Sequence, residues 1–273
     1  MISIAIPSSV VDLGNKRVST QRAGLIGRAC AIFRVKDVFI YLDRERKRRE
    51  GEFLRKILEY METPQYLRKY LFPIDESLEE VGSLPPLRTP HHPTSAPVEG
   101  EIRDGFVVRS TRRGSMIDIG LQRLAWCPIP LPVRKRMTFK IERLSDPPEV
   151  TPTSVDGKYW GYRVISTNSG LWTTIKKIRA KGYDFLVGTS KFGRHIGEKE
   201  RELISSAESI ALVFGSPREG LMQILNREGF ELEEALDLTL NFVPNQGVET
   251  IRTEEAVIVC LSILNYIRRG RNV

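Results

Sequence analysis

Ala211-Leu-Val-Phe-Gly-Ser-Pro-Arg-Glu-Gly-Leu221 is the stretch that decides the fold. Residues 210–214 form a continuous apolar run, the pattern of a β-strand covered on both faces and therefore of a parallel sheet. Gly215, Ser216 and Pro217 break it, and Pro217, with its fixed φ, suits the start of a helix. A second run repeats the plan: Asn241-Phe-Val-Pro-Asn-Gln-Gly-Val-Glu-Thr-Ile-Arg-Thr-Glu-Glu-Ala256. There 238–243 reads as strand, Pro244 to Gly247 as turn and 254–267 as helix. Two strand–loop–helix units predict a pocket at the carboxyl ends of the strands, where loop amides lack partners. Gly215, Gly220 and Gly247 equally admit a plain reading as chain turns. No Gly-x-Gly-x-x-Gly and no Walker lysine occurs, which argues against a nucleotide-dependent oxidoreductase or a nucleoside triphosphatase.

Upstream, 2–6 reads as a strand, 20–33 as a helix capped by Ser19 or Thr20, and 37–42 as a strand. Residues 43–70 form a charged helical region whose start is crowded by Arg44, Arg46, Lys47, Arg48 and Arg49, a run read as a solvated helix face rather than a phosphate grip. Prolines 85, 86, 90, 93 and 97 predict a stiff linker, with His91 and His92 exposed inside it and too poorly accompanied to bind metal. From 98 to 175 the period is that of strands, at 98–109, 115–121, 125–129, 137–144, 159–166 and 170–175. Short strands at this density predict a small closed barrel, most simply OB-like. Arg103, Arg109, Arg112, Arg113, Arg123, Arg134, Lys135 and Arg136 interleave there with Phe106, Trp126, Phe139, Tyr159, Trp160 and Tyr162. Cations along a backbone and aromatic faces against bases suit single-stranded RNA; most of these aromatics are expected to fill the barrel core instead. Beyond Lys181 the α/β pattern resumes, with a strand at 183–187 ending in Gly188-Thr-Ser190, a third loop for the same pocket. The last helix is apolar nearly all round and must be covered on most sides.

The chain has 273 residues, a formal net charge of +8 and a sequence pI ≈ 9.5, a balance that points to a polyanion partner, nucleic acid first. Cys30, Cys127 and Cys260 lack metal spacing and read as buried thiols of a reducing compartment. Without a signal-peptide pattern or a membrane-length apolar run, the expected location is the cytoplasm.

Gly215-Ser-Pro-Arg-Glu-Gly-Leu221 together with Val243 to Ala256 resembles the last two motifs of the SPOUT RNA methyltransferases, in particular an archaeal and eukaryotic branch with an inserted β-barrel. Thr20-Gln-Arg-Ala-Gly-Leu-Ile-Gly-Arg-Ala-Cys-Ala-Ile-Phe-Arg-Val-Lys-Asp-Val-Phe-Ile40 is similar to the first motif, with Arg28 in place of its arginine and Arg22 where the pattern often has asparagine. The resemblance implies a trefoil-knotted α/β domain at 1–90 and 176–273, interrupted by the barrel at 91–175. It further implies a homodimer, bound S-adenosylmethionine, and methyl transfer to an RNA base, with ribosomal RNA and a pyrimidine as the expected acceptor. On that reading Gly188, Thr189, Ser190, Phe214, Gly215, Ser216, Gly220, Val243, Pro244, Asn245, Gly247, Thr250, Ile251, Arg252 and Thr253 hold the cofactor. Arg28 and Arg218 steady negative charge, and Glu219 or a phosphate oxygen takes the proton. Glu219 alternatively only stabilises its helix start, and Arg252 only bridges subunits. Arg22, Arg109, Arg112, Arg113, Arg134, Lys135 and Arg136 are the expected RNA contacts. The rival reading is a non-catalytic RNA-binding or ribosome-assembly factor that keeps the knot.

Overall fold

A computed structural model of the chain describes residues 1–44 and 47–269. In chain order its elements are β1 (Ile2–Pro7), α1 (Lys16–Ile32), β2 (Asp37–Tyr41), α2 (Arg48–Glu62), α3 (Arg68–Leu71), β3 (Ile102–Thr111), β4 (Gly114–Asp118), β5 (Ala125–Cys127), β6 (Arg136–Arg143) and β7 (Glu149–Pro152). There follow β8 (Arg163–Ser166), α4 (Leu171–Ala180), β9 (Phe185–His195), α5 (Glu198–Ser206), β10 (Ile210–Val213), α6 (Leu221–Arg227), α7 (Leu232–Ala235), β11 (Leu238–Asn241) and α8 (Thr253–Arg269). Two compact units divide the chain: residues 1–59, 77–85 and 162–273 in the first, 60–76 and 86–161 in the second.

The first unit is built on a six-stranded sheet in the order β11-β9-β10-β1-β2-β8, every neighbouring pair parallel. Its central strands are apolar on both faces because helices cover both: Ile4, Ala5 and Ile6 of β1 and Ile210 to Val213 of β10 are fully buried. Asn15 caps α1, its side chain accepting from the Val18 N–H at 3.1 Å. The helix thus starts one turn before Ser19 or Thr20, and Ser19 instead bonds Asp12 on both sides. After β11 at the sheet edge, the chain passes back across the end of β9, and Thr253 donates its hydroxyl to the Gly215 carbonyl beyond β10 at 3.3 Å. The final helix α8 then packs on α1 and α5.

The second unit is a closed five-stranded barrel, β3-β4-β5-β7-β6, as expected of an OB-like insertion. Val107, Ile117, Phe139, Ile141 and Val150 fill it. Gly105 is required there, because a Cβ would lie 2.6 Å from Ile117 and 2.8 Å from Phe139.

Several expectations are corrected. Residues 170–175 open helix α4 rather than forming a strand, since Leu171, Thr174, Ile175 and Ile178 are buried at helical spacing. β8 pairs with β2 in the large sheet, not in the barrel, and the barrel's remaining strand is the short β7, which carries prolines at its margin and no alternation. The proline-rich segment is no free linker: Leu87, Thr89 and His91 are buried within the second unit. Its rigid turns leave few conformations to lose on packing. The two units therefore do not follow the expected split at 91 and 175.

Candidate functional site

The carboxyl ends of β9, β10 and β11 come together through hydrogen bonds between their loops. Phe214 is buried, its N–H donating to Ala5 at 2.9 Å and its carbonyl accepting from the Tyr41 hydroxyl at 2.7 Å. The next bend is closed by Ser216, whose N–H donates to the Glu219 carbonyl at 2.9 Å and whose Oγ accepts from the N–H of Glu219 at 3.1 Å. Helix α6 starts only at Leu221, with the Gly220 N–H donating to Gln223 Oε1 at 2.9 Å; Pro217 lies in the loop, not at the helix start. Gly188 stands in register with both Val213 and Thr239, and Thr189 donates its hydroxyl to the Val213 carbonyl at 3.2 Å. Asn241 ties the third bend to the first, its amide donating to the Lys191 carbonyl at 2.9 Å. In the 242–252 loop Asn245 holds φ at 58°, and the Lys191 ammonium donates to the Glu249 carbonyl at 3.2 Å.

Thr189, Ser190, Gly215, Ser216, Val243 and Ile251 are half-buried around these bends, Phe214, Gly188 and Thr253 are buried, and Pro244, Asn245, Gly247, Thr250 and Arg252 are exposed. The glycines divide by role. A Cβ on Gly188 would sit 2.5 Å from Leu236, so that glycine serves close packing, whereas a Cβ on Gly247 would meet nothing within 4 Å.

Glu219 is ion-paired with Arg227 and, at 3.5 Å, with Arg44. The Arg227 hydrogen bond, with the charges of Arg227 and Arg44, lowers its carboxyl pKa below the usual range, which makes it a weaker proton acceptor than a free carboxylate. The Arg218 guanidinium is exposed and has no partner among the described residues. Arg28 is half-buried on α1. Arg22 belongs to the first unit and reaches Glu254 of α8 at 3.2 Å. Beside it Arg17, Val18, Gln21, Leu25, Arg252 and Glu255 border a shallow hollow of about 290 Å³. Of the basic run before α2, Arg44 and Lys47 pair with Glu219 and Glu50, and Arg46 lies outside the described residues.

On the barrel, Arg109, Arg112, Arg113, Arg134 and Lys135 are exposed and carry no side-chain partner among the described residues. The backbones of Arg134 and Lys135 bond Val107 of β3, at 2.8 and 3.0 Å, which sets those two residues beside the strand that carries Arg109. Arg136 is different. Its guanidinium is held by Glu62 and Asp104, and although burial opposes the charge, those carboxylates keep its pKa above the ordinary value. Asp104 also accepts from Thr138 at 3.1 Å and from the Trp160 indole at 2.9 Å. Arg136 thus holds the unit together rather than waiting for phosphate. Phe106, Phe139 and Tyr162 are buried and Trp126, Tyr159 and Trp160 half-buried, so none of the interleaved aromatics is exposed.

His91 and His92 are not exposed. His91 is 0 % exposed, and the Nε2 atoms of both lie 2.7 Å from the Glu62 carbonyl. Burial pushes the His92 pKa down to about 4. The folded state therefore binds fewer protons than the unfolded chain between the ordinary value near 6.5 and about 4, so stability falls as pH falls through that window. Urea midpoints of the second unit measured across it should decline with acidification, and His92→Gln should flatten the slope.

The sequence matches the family described as "Putative RNA methyltransferase" over residues 1–264. The chain belongs to that family. Among its relatives, the human protein named 28S rRNA (uridine-N(3))-methyltransferase is 32% identical, across 96% of this chain and 77% of the relative. The Drosophila melanogaster protein of the same name is 32% identical across 96% of this chain and 61% of the relative. A Haloarcula marismortui protein described as uncharacterized is 28% identical across 96% of this chain and 98% of its own length. The crystal structure of the SpoU methyltransferase AviRb from Streptomyces viridochromogenes, in complex with AdoMet, covers 99% of this chain and 60% of that one, at a TM-score of 0.35 and 12% identity. That global likeness is too low to place any residue.

The family implies S-adenosylmethionine, and the bends of this RNA methyltransferase family member suit it chemically. Open space at Gly247, hydroxyls at Thr189, Ser190 and Ser216, and apolar neighbours Phe214, Leu221 and Leu236 match a ligand with one flat aromatic end and one zwitterionic end. Among the described residues no group of acids, histidines and cysteines could hold a metal, and no helix is long and apolar enough to cross a membrane.

Proposed function

We propose that the protein transfers a methyl group from S-adenosylmethionine to N3 of a uridine in ribosomal RNA, acting in the cytoplasm as a homodimer. The observation that carries this reading is the junction of three strand-end loops, at 188–190, 214–220 and 242–252, in a chain of the RNA methyltransferase family whose named relatives act on uridine of 28S rRNA. The return of the terminal segment across β9 is the path a trefoil knot requires.

Bound S-adenosylmethionine supplies a methyl on a sulfonium, ready for in-line attack. The chain's own residues then do the positioning, which dominates such a reaction. We assign the bends to cofactor binding, with Thr189, Ser190, Gly215, Ser216, Gly247 and Thr253 foremost. Uridine N3 passes its proton to a phosphate oxygen of the bound RNA, and the methyl–sulfur bond breaks as the N3–methyl bond forms; negative charge that develops on the neighbouring carbonyl oxygens is assigned to Arg218, with its exposed guanidinium, and to Arg28. Glu219, held ionised between Arg44 and Arg227, is assigned to orient that arginine pair. Arg109, Arg112, Arg113, Arg134 and Lys135 hold RNA phosphates. The exposed apolar side chains Val18, Leu25 and Ile32 fall seven residues apart on α1, a single stripe that supports a contact with a second copy.

Calorimetric titration with S-adenosylmethionine should show binding in the micromolar range. Incubation with methyl-labelled cofactor and ribosomal RNA should place the label on one uridine at N3. Absence of binding at high micromolar cofactor would replace this reading with that of a non-catalytic RNA-binding factor.

A further inference from the structure

β9 carries a finger whose outer part, Lys191 to Gly193, the cofactor reading does not use. Its register against β11 steps from Gly188 opposite Thr239 directly to Arg194 opposite Leu240. Residues 189–193 therefore stand out between two consecutive residues of the partner strand, a five-residue excursion far larger than an ordinary bulge. It is not a frayed loop. Thr189 donates to the Val213 carbonyl at 3.2 Å, and the Phe192 N–H donates to Ser190 Oγ at 3.2 Å. Both the carbonyl and the ammonium of Lys191 are engaged, by Asn241 and Glu249. At its base Gly193 lies so close to β11 that a Cβ would come within 2.5 Å of the Leu240 carbonyl carbon.

Phe192 is carried on this fixed finger and is 86 % exposed. An aromatic ring held in so exposed a position is open to a partner with a flat face of its own. Its surroundings are cationic: the Lys191 ammonium lies 5.2 Å from the ring centre, Arg194 and His195 are exposed, and no acidic residue occurs between Asp184 and Glu198. Glu249, whose carbonyl holds Lys191, is the acidic residue of the facing loop. Single-stranded RNA binding combines cations with aromatic faces for bases, and the barrel's interleaved aromatics are buried or half-buried. Among the described residues Phe192 and Tyr266 are the exposed aromatics.

We propose that Phe192 is a stacking platform for an unpaired RNA base next to the acceptor nucleotide, with Lys191 and Arg194 against the flanking phosphates. This rests on the RNA methyltransferase reading and narrows its substrate to RNA whose bases are unstacked at the site. The alternative cover for the ring is a second copy of the chain.

Phe192→Ala, Phe192→Trp and the unaltered protein separate these outcomes, using a short fluorescein-labelled, uridine-rich single-stranded RNA as probe. Anisotropy should show Phe192→Ala binding the strand at least about fivefold more weakly and Phe192→Trp restoring the affinity, with the sedimentation coefficient and S-adenosylmethionine affinity unchanged. Unchanged RNA affinity for Phe192→Ala overturns the proposal. So does a drop in mass from dimer to monomer without loss of RNA affinity, which would assign Phe192 to the contact between copies. If the unaltered protein binds no S-adenosylmethionine while Phe192→Ala still weakens RNA binding, methyl transfer fails and the stacking role stands. If cofactor binds and Phe192 proves indifferent, the reverse holds.

Discussion

Gly247→Val is expected to fold as the unaltered protein does and to lose S-adenosylmethionine affinity by about a hundredfold. The expectation of normal folding follows from space: a Cβ at Gly247 meets nothing within 4 Å, and the residue is exposed in the 242–252 loop. The expected loss follows from the proposed ligand. The three carbon atoms of an isopropyl group added in a filled pocket cost about 1–3 kcal/mol by overpacking, the upper part of which is about a hundredfold in affinity. Thermal melts and calorimetry together check it. Gly188→Val is the contrast, because its Cβ would collide with Leu236 at 2.5 Å and Leu221 at 3.0 Å; that variant should lose stability before it reports on a ligand. A Gly247→Val protein with an unchanged melt and unchanged cofactor affinity would remove the third bend from the site.

The second large effect lies in the barrel unit. Asp104→Ala should destabilise it by about 3 kcal/mol, the lower end of the cost of breaking a buried ion pair, because Arg136 keeps its second carboxylate, Glu62. Asp104 is buried and receives the Arg136 guanidinium, the Thr138 hydroxyl and the Trp160 indole, so truncation strands three donors at once. Urea unfolding followed by tryptophan fluorescence reads the change. Arg136→Met in the Asp104→Ala background should cost less than Arg136→Met alone, because the charge it removes has already lost one partner. Additive effects of the two substitutions would mean that Arg136 does not depend on Asp104.

What the linear chain determined on its own was the class of each strongly patterned segment. The unbroken apolar run at 210–214 is a parallel strand because helices cover both faces of the sheet, and most of the short strands read between 98 and 144 belong to the barrel. The motifs around Gly215, Gly247 and Arg28 led to the family, and the bends they mark do meet. Local pattern also misled where two periods overlap: Gly170 to Ile175 is too short to distinguish strand from the first turns of α4, and β8 reads as a barrel strand until its pairing with β2 is known.

Tertiary structure alone decided which charges are free. Arg134 and Arg136 are two residues apart and alike in composition, yet one is exposed and the other is enclosed by Glu62 and Asp104. No spacing rule connects Arg136 with Glu62, which is 74 residues away in the chain. His91 and His92 look like linker residues until the Glu62 carbonyl takes both rings. The Phe192 finger is likewise invisible in sequence, because a register jump between β9 and β11 depends on pairing with a strand that comes more than forty residues later. Burial and pairing are long-range properties, and a charge or an aromatic ring takes its role from whatever the fold brings to it.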